Sequence, residues 1–139
     1  MFVFSFLPFH LCDKEMDMSE FCGLREQILL QYEMVKSKGN WVQMIVRSAQ
    51  NEWIHSGSVI NLGVYCMMLD DSRMWVRSVR TTATYTKNLC SEKRLRSDRV
   101  AASAWCFDMA SKTIEMIDSI CNEIDCASNM MRPLLAENQ

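Results

Sequence analysis

Eight basic side chains crowd into one stretch of this sequence, and they are the residues with the clearest chemical potential. Arg73, Arg77, Arg80 and Lys87 fall at offsets of 0, 4, 7 and 14, so on a helix they line one edge, and Lys93, Arg94, Arg96 and Arg99 continue the run. Segment 73–99 holds eight bases and two acids, net +6, between flanking segments of net −4 each. Guanidinium groups pair bidentately with phosphate oxygens, and Trp75 and Tyr85 offer faces on which unpaired bases stack, so the stripe has the form of a nucleic-acid or phosphate footprint. The competing expectation is that it neutralises acidic faces of neighbouring helices or is simply solvated. A net charge of −2 and a pI of about 5.7 favour neutralisation over a nucleic-acid coat.

The other reactive side chains are scattered. Seven cysteines (Cys12, Cys22, Cys66, Cys90, Cys106, Cys121 and Cys126) are an odd number, and five fall inside apolar-periodic segments, where a thiol serves as a small hydrophobe. The nearest pairs, Cys121/Cys126 and His10/Cys12, lack the second pair that a structural zinc needs. Of the two histidines, His10 lies in the apolar N-terminal segment and His55 in the last turn of a helix, where an imidazole caps carbonyls. Asp70/Asp71 and Glu123/Asp125 are too close in sequence to converge on one ion from a helix, and no Glu-x-x-His motif accompanies them. No phosphate-cradling glycine loop is present. The expectation is a protein without catalytic activity, without metal and without cofactor.

The elements that must carry these residues are helical. Within 139 residues, 49% are apolar and only four are Gly and two Pro, which bounds the chain to one domain with a single core and excludes disorder and collagen-like repeats. Phe21, Leu24, Ile28, Tyr32 and Val35 share a helical face over 19–38, with Gly39 placed to end that helix. Asn40 through Gln43 then reads as a capping box opening a second helix, whose stripe is Trp41, Ile45, Ala49 and Trp53 with Val42 and Val46 beside it, closed by His55 and Gly57. Residues 58–69 are apolar nearly all round and read as a buried helix, stopped by Asp70, Asp71 and Ser72. The next stretch, to Lys87, keeps Trp75, Val76, Val79 and Ala83 on one face despite its threonines; a hairpin within 58–89 is the alternative. Val100, Ser103, Phe107, Ala110, Ile114, Ile117, Cys121 and Ile124 occupy the a and d positions of nearly four heptads, predicting a helix over 97–125 of roughly 40 Å. Arg132-Pro133 marks a stop. The architecture expected is an all-α, single-domain bundle of four to five antiparallel helices with a long C-terminal helix: an apolar then acidic extension over 1–18, the bundle over 19–132 and a frayed tail over 133–139. The opening segment lacks a basic start and a small-x-small cleavage site and is broken by Pro8, so it reads as a flexible or aromatic-anchored extension rather than a cleaved signal.

Lys38-Gly39-Asn40-Trp41-Val42 followed by an apolar helix resembles the first homology box of the Bcl-2 family of apoptosis regulators, whose helical bundles hold a partner's amphipathic helix in a groove. The match spans five residues. Val42 and Gln43 stand where that family has Gly and Arg, and Trp53-Ile54 comes too soon to be the second box, so no site residue is carried over.

Two apolar faces on the last helix, four tryptophans and twelve methionines exceed what one seam needs, and such side chains are enriched at interface centres. Trp105, Met109, Met116 and Ile120, off the seam, are the candidate interface. The expected function is a non-enzymatic helical protein–protein interaction or oligomerisation module, regulatory in character and cytoplasmic or nuclear. A small viral or regulatory nucleic-acid-binding protein using segment 73–99, RNA included, is the alternative; a secreted cytokine-like bundle with paired cysteines is the third. No run of apolar residues is long enough for a membrane span.

Overall fold

Phe21, Leu24, Ile28, Val35, Val42, Ile45 and Ala49 are buried, and Gln31 and Lys38 complete their alternation of three- and four-residue steps. That alternation keeps one stripe on one side of a helix for four heptads. The computed structural model, which describes residues 18–91 and 100–137, accordingly shows one helix, α1, spanning Met18–Gln50. The expected break at Gly39 and the capping box at Asn40 are not used. Val35 and Val42 are seven residues apart, so the two stripes read from the sequence are in phase and belong to one element. The position between them is filled by Lys38, which looks like an interruption because it is charged. Its Nζ lies 4.9 Å from the centroid of Trp41 and 5.1 Å from that of Trp75, so the alkyl stem covers the seam while the ammonium is held over two aromatic faces.

The end of α1 falls where the sequence places it. A π turn over Asn51–His55 closes the helix, Gly57 takes the left-handed conformation at φ 67°, and the Ser58 N–H donates to the Glu52 carbonyl at 3.2 Å. This reach of six residues is one more than an α-helical end uses, as the wider π turn requires. The Glu52 carboxylate then spans the connection, accepting from Asn61 Nδ2 at 2.9 Å and from the Tyr65 hydroxyl at 3.0 Å.

The second helix, α2, runs over Leu62–Ser91 without interruption, which removes both the stop at Asp70-Asp71-Ser72 and the hairpin alternative. Its buried residues, among them Leu62, Cys66, Leu69, Ser72, Val76, Val79, Ala83 and Thr86, again step by three and four. Ser72 sits inside the seam, and its hydroxyl is satisfied by its own helix, donating to the Met68 carbonyl at 2.9 Å. Thr86 does the same to Thr82 at 3.0 Å and Ser78 to Trp75 at 2.6 Å. Hydroxyl residues that compete for backbone bonds elsewhere are thereby absorbed by the helix.

The third helix, α3, spans Val100–Glu137, about 57 Å at 1.5 Å per residue. It outlasts the expected end at 125 because Ala127 and Met131 continue the buried seam, and it carries Pro133 inside it. Proline forfeits one backbone hydrogen bond. Leu134 and Leu135 pack on the main core and hold the last turn in place, so 133–137 are helical rather than frayed. The seam itself is rotated from the one read in sequence. Cys106, Ala110, Thr113, Ile117, Ile120, Ile124 and Ala127 are buried, whereas Phe107, Ile114 and Cys121 stand half-buried one position away.

The described residues thus form three long helices, all-α, instead of four to five. Arg80 meets Asp118 and Arg132 meets Asp70, so α2 and α3 are antiparallel. Arg25 lies over Trp105, and Ile120 lies beside Gly39, so α1 and α3 are parallel. The count falls because the turn signals at Gly39-Asn40 and Asp70-Asp71-Ser72 stand beside or within seams that keep their phase, so the helices run through them. Two apolar clusters fill the bundle: a large one centred on Val35, Val42, Leu69, Val76, Ile117 and Ile124, and a smaller one of Phe21, Leu24, Ile28, Cys90 and Cys106 at the other end. Of the extension read over 1–18, Met18 opens α1 and 1–17 lie outside the described residues, as do 138–139.

Candidate functional site

The basic stripe is held by α2, which turns Arg73 and Arg80 toward α3. Arg73 pairs with Asp125 and also reaches Asp70 at 3.6 Å. Arg80 makes a two-point contact with Asp118, Nε to Oδ1 at 2.8 Å and Nη2 to Oδ2 at 3.3 Å, and that carboxylate pushes the guanidinium pKa up from its already high ordinary value. From α3, Arg132 answers with two contacts of 3.2 Å to Asp70. The Lys87 Nζ sits 5.1 Å from the Phe107 centroid. Arg77 is exposed and makes no ion pair among the described residues. Lys93, Arg94, Arg96 and Arg99 lie outside the described residues. Arg73 and Arg80 therefore meet phosphate only by first breaking a pair to α3, and Asp70 and Asp125, which the sequence reading set aside as ion ligands, are paired with arginine.

The thiols show a local pairing that the sequence did not announce. Cys90 on α2 and Cys106 on α3 meet in the smaller cluster, where Ser103 Oγ donates to the Cys90 carbonyl at 2.9 Å. The Cys90 thiol donates to Cys106, which holds Cys90 protonated with its pKa pushed far up and draws the Cys106 pKa down. All six described cysteines are free thiols, and Cys22 and Cys126 are exposed. No group of three or more His, Cys, Asp and Glu able to hold a metal occurs among the described residues. His55 is exposed in the π turn.

The candidate interface on α3 is redistributed. Ile120 is only 8% exposed and belongs to the main core, against the sequence reading that set it off the seam. Met116 packs half-buried on the same core, and Trp105 and Met109 pack half-buried on the smaller cluster, with the Arg25 guanidinium 5.2 Å above the Trp105 ring. Four of the exposed large apolar side chains lie on α2 and at its entry, Ile60 at 85%, Met74 at 71%, Met67 at 62% and Val64 at 52%, while Ile54 at 62%, Met44 at 54% and Met130 at 48% are spread over the other elements. Ile60, Val64 and Met67 belong to 58–69, which reads from the sequence as a buried helix because it is apolar nearly all round. A three-helix bundle has no central helix, so an all-round apolar segment must turn one side outward. The signal was present in the sequence as a second run of three- and four-residue steps, 60, 64, 67, 71 and 74, opposite the buried one.

One open groove of about 500 Å³ runs between α1 and α2, lined by Glu33, Met34, Ser37, Trp41 and Trp75, with Lys38 across it. No helix among the described residues is long and apolar enough to cross a membrane. In comparisons with known proteins the chain matches no family model, no curated protein and no solved structure.

Proposed function

We propose that this chain is a non-catalytic helical interaction module that binds protein through the outer face of α2. The observation that carries the reading is Val64, Met67 and Met74, three large apolar side chains each more than half exposed on one face of α2, with Ile60, exposed as well, in the turn that leads into it. Scattered exposed apolar side chains need no explanation, but several gathered on one helix face cost solvation unless a partner covers them. Methionine suits the role, since its unbranched thioether adapts to a facing surface. The basic stripe supports this reading over a phosphate-binding one, because Arg73 and Arg80 are already matched by acids of α3.

Hydroxyl-radical labelling of methionine tests the proposal. In dilute purified protein, Met67 and Met74 oxidise as readily as Met44 and Met130, which are also exposed. In concentrated cell extract Met67 and Met74 become protected relative to the other two. Equal reactivity of all four in both conditions removes the reading.

A further inference from the structure

The exposed row on α2 is a second seam. Val64, Met67, Asp71, Met74, Ser78 and Thr81 alternate steps of three and four over two and a half heptads, on the side of α2 opposite the core. Such spacing lets one helix lie along another at a shallow angle. Two charges flank Met74 at equal distances, Asp71 three residues before and Arg77 three residues after. Both are exposed, and neither has an ion-pair partner among the described residues, whereas Asp70, Arg73, Arg80 and Arg132 are all engaged with one another or with α3.

Resting on the interaction-module reading above, we propose that the occupant of this face is a second copy of this chain, its α2 antiparallel to the first across a two-fold axis beside Met74. Charge decides the occupant and its direction. Antiparallel pairing about Met74 sets Asp71 of each copy against Arg77 of the other, and symmetry makes the pair twice. Parallel pairing sets Asp71 against Asp71 and Arg77 against Arg77, which repels at both positions. Met74 then meets its own counterpart at the centre, and Met67 lies over Thr81 of the second copy. One face of one helix is at the small end of specific interfaces, so the dimer forms in the micromolar range rather than the nanomolar.

Sedimentation velocity of the full chain from low to high micromolar concentration tests this with the wild type, Met74→Glu, Asp71→Arg, Arg77→Asp and the double charge swap. The substituted side chains are all outside the core, and far-ultraviolet circular dichroism confirms that each variant keeps its helix. Wild type and double swap dimerise alike. Each single charge variant loses about tenfold in affinity, because two attractive contacts become repulsive, and Met74→Glu loses at least as much. An equimolar mixture of Asp71→Arg with Arg77→Asp recovers dimer, since opposite charges meet again at both positions. A dimer indifferent to all of these changes uses another face and overturns the proposal. A wild type that stays monomeric also overturns it, and the labelling experiment then separates the outcomes. Met67 and Met74 protected only in extract mean a different protein on this face, with the interaction reading intact. Protection in the dilute purified chain means the face is covered by the chain itself, and no protection anywhere removes both.

Discussion

Gly39 offers a test in which two descriptions of this chain demand opposite signs. If Gly39 ended a helix in the left-handed conformation, a side chain there would be strained, and Gly39→Ala would cost about 1 kcal/mol. In the structure it lies inside α1 with ordinary helical backbone, where alanine gains about 0.5–1 kcal/mol over glycine. Against that gain stands one close approach: a Cβ at this position falls 3.2 Å from Ile120 Cδ1 and 3.4 Å from Ile120 Cγ1. The nearer atom is a terminal methyl, which moves a few tenths of an ångström at a cost of a few tenths of a kcal/mol. The expected net effect of Gly39→Ala is therefore stabilisation, smaller than that of Gly23→Ala, whose Cβ would meet nothing within 4 Å. Gly57→Ala supplies the opposite sign, destabilising by about 1 kcal/mol because φ there is 67°. Urea denaturation at one low protein concentration reads all three, 1 kcal/mol appearing as a midpoint shift of about 0.5 M for a chain of this size. A loss for Gly39→Ala as large as that for Gly57→Ala would break α1 at residue 39 and refute the continuous-seam argument.

Further outcomes follow from buried or paired groups. Gln27 is 3% exposed and neither amide atom has a hydrogen-bond partner among the described residues, so Gln27→Met raises stability by about 1 kcal/mol in the same denaturation assay, and a loss would show that the amide is satisfied. Lys38→Glu replaces two cation–π contacts with repulsion from the same rings and costs about 1–2 kcal/mol, whereas Lys38→Met stays within about 0.5 kcal/mol of wild type; equal effects would mean the ammonium is not held by Trp41 and Trp75. The hydrogen bond to Glu52, then burial, push the Tyr65 hydroxyl above its ordinary 10.0, and burial pushes the Cys66 and Cys121 thiols above 9.0. Each of these groups favours the folded chain while protonated, so this contribution is complete below the ordinary values and is lost as pH rises through the folded ones. The urea midpoint accordingly falls on the alkaline side, and Glu52→Gln returns the Tyr65 phenolate transition toward 10.0 in an ultraviolet titration; a transition unmoved by that change would sever the Glu52–Tyr65 bond.

The helical class, a dominant C-terminal helix, the stop at His55 and Gly57, and most buried positions of α1 and α2 were legible in the sequence. Each is a local matter, depending on which residues recur every third and fourth position and on where glycine permits a left-handed turn. Four other outcomes needed the tertiary fold. Lys38, Ser72 and Thr86 are polar, and Ser72 reads as part of a stop, yet all three occupy seam positions because aromatic faces or their own helix satisfy them. The α3 seam runs through Cys106, Thr113 and Ile120 rather than Phe107, Ile114 and Cys121, since several faces of that helix are apolar and only the neighbours choose among them. Arg73 and Arg80 point at acids on α3 because the antiparallel register of α2 and α3 brings Asp118 and Asp125 beside Arg80 and Arg73. The interface residues read on α3, Trp105, Met109, Met116 and Ile120, pack on the two clusters, whereas Val64, Met67 and Met74 on α2 stay exposed, because the bundle has no helix to cover them. Periodicity specifies that a helix has a greasy side, and only the number and placement of its neighbours specify which greasy side remains in water.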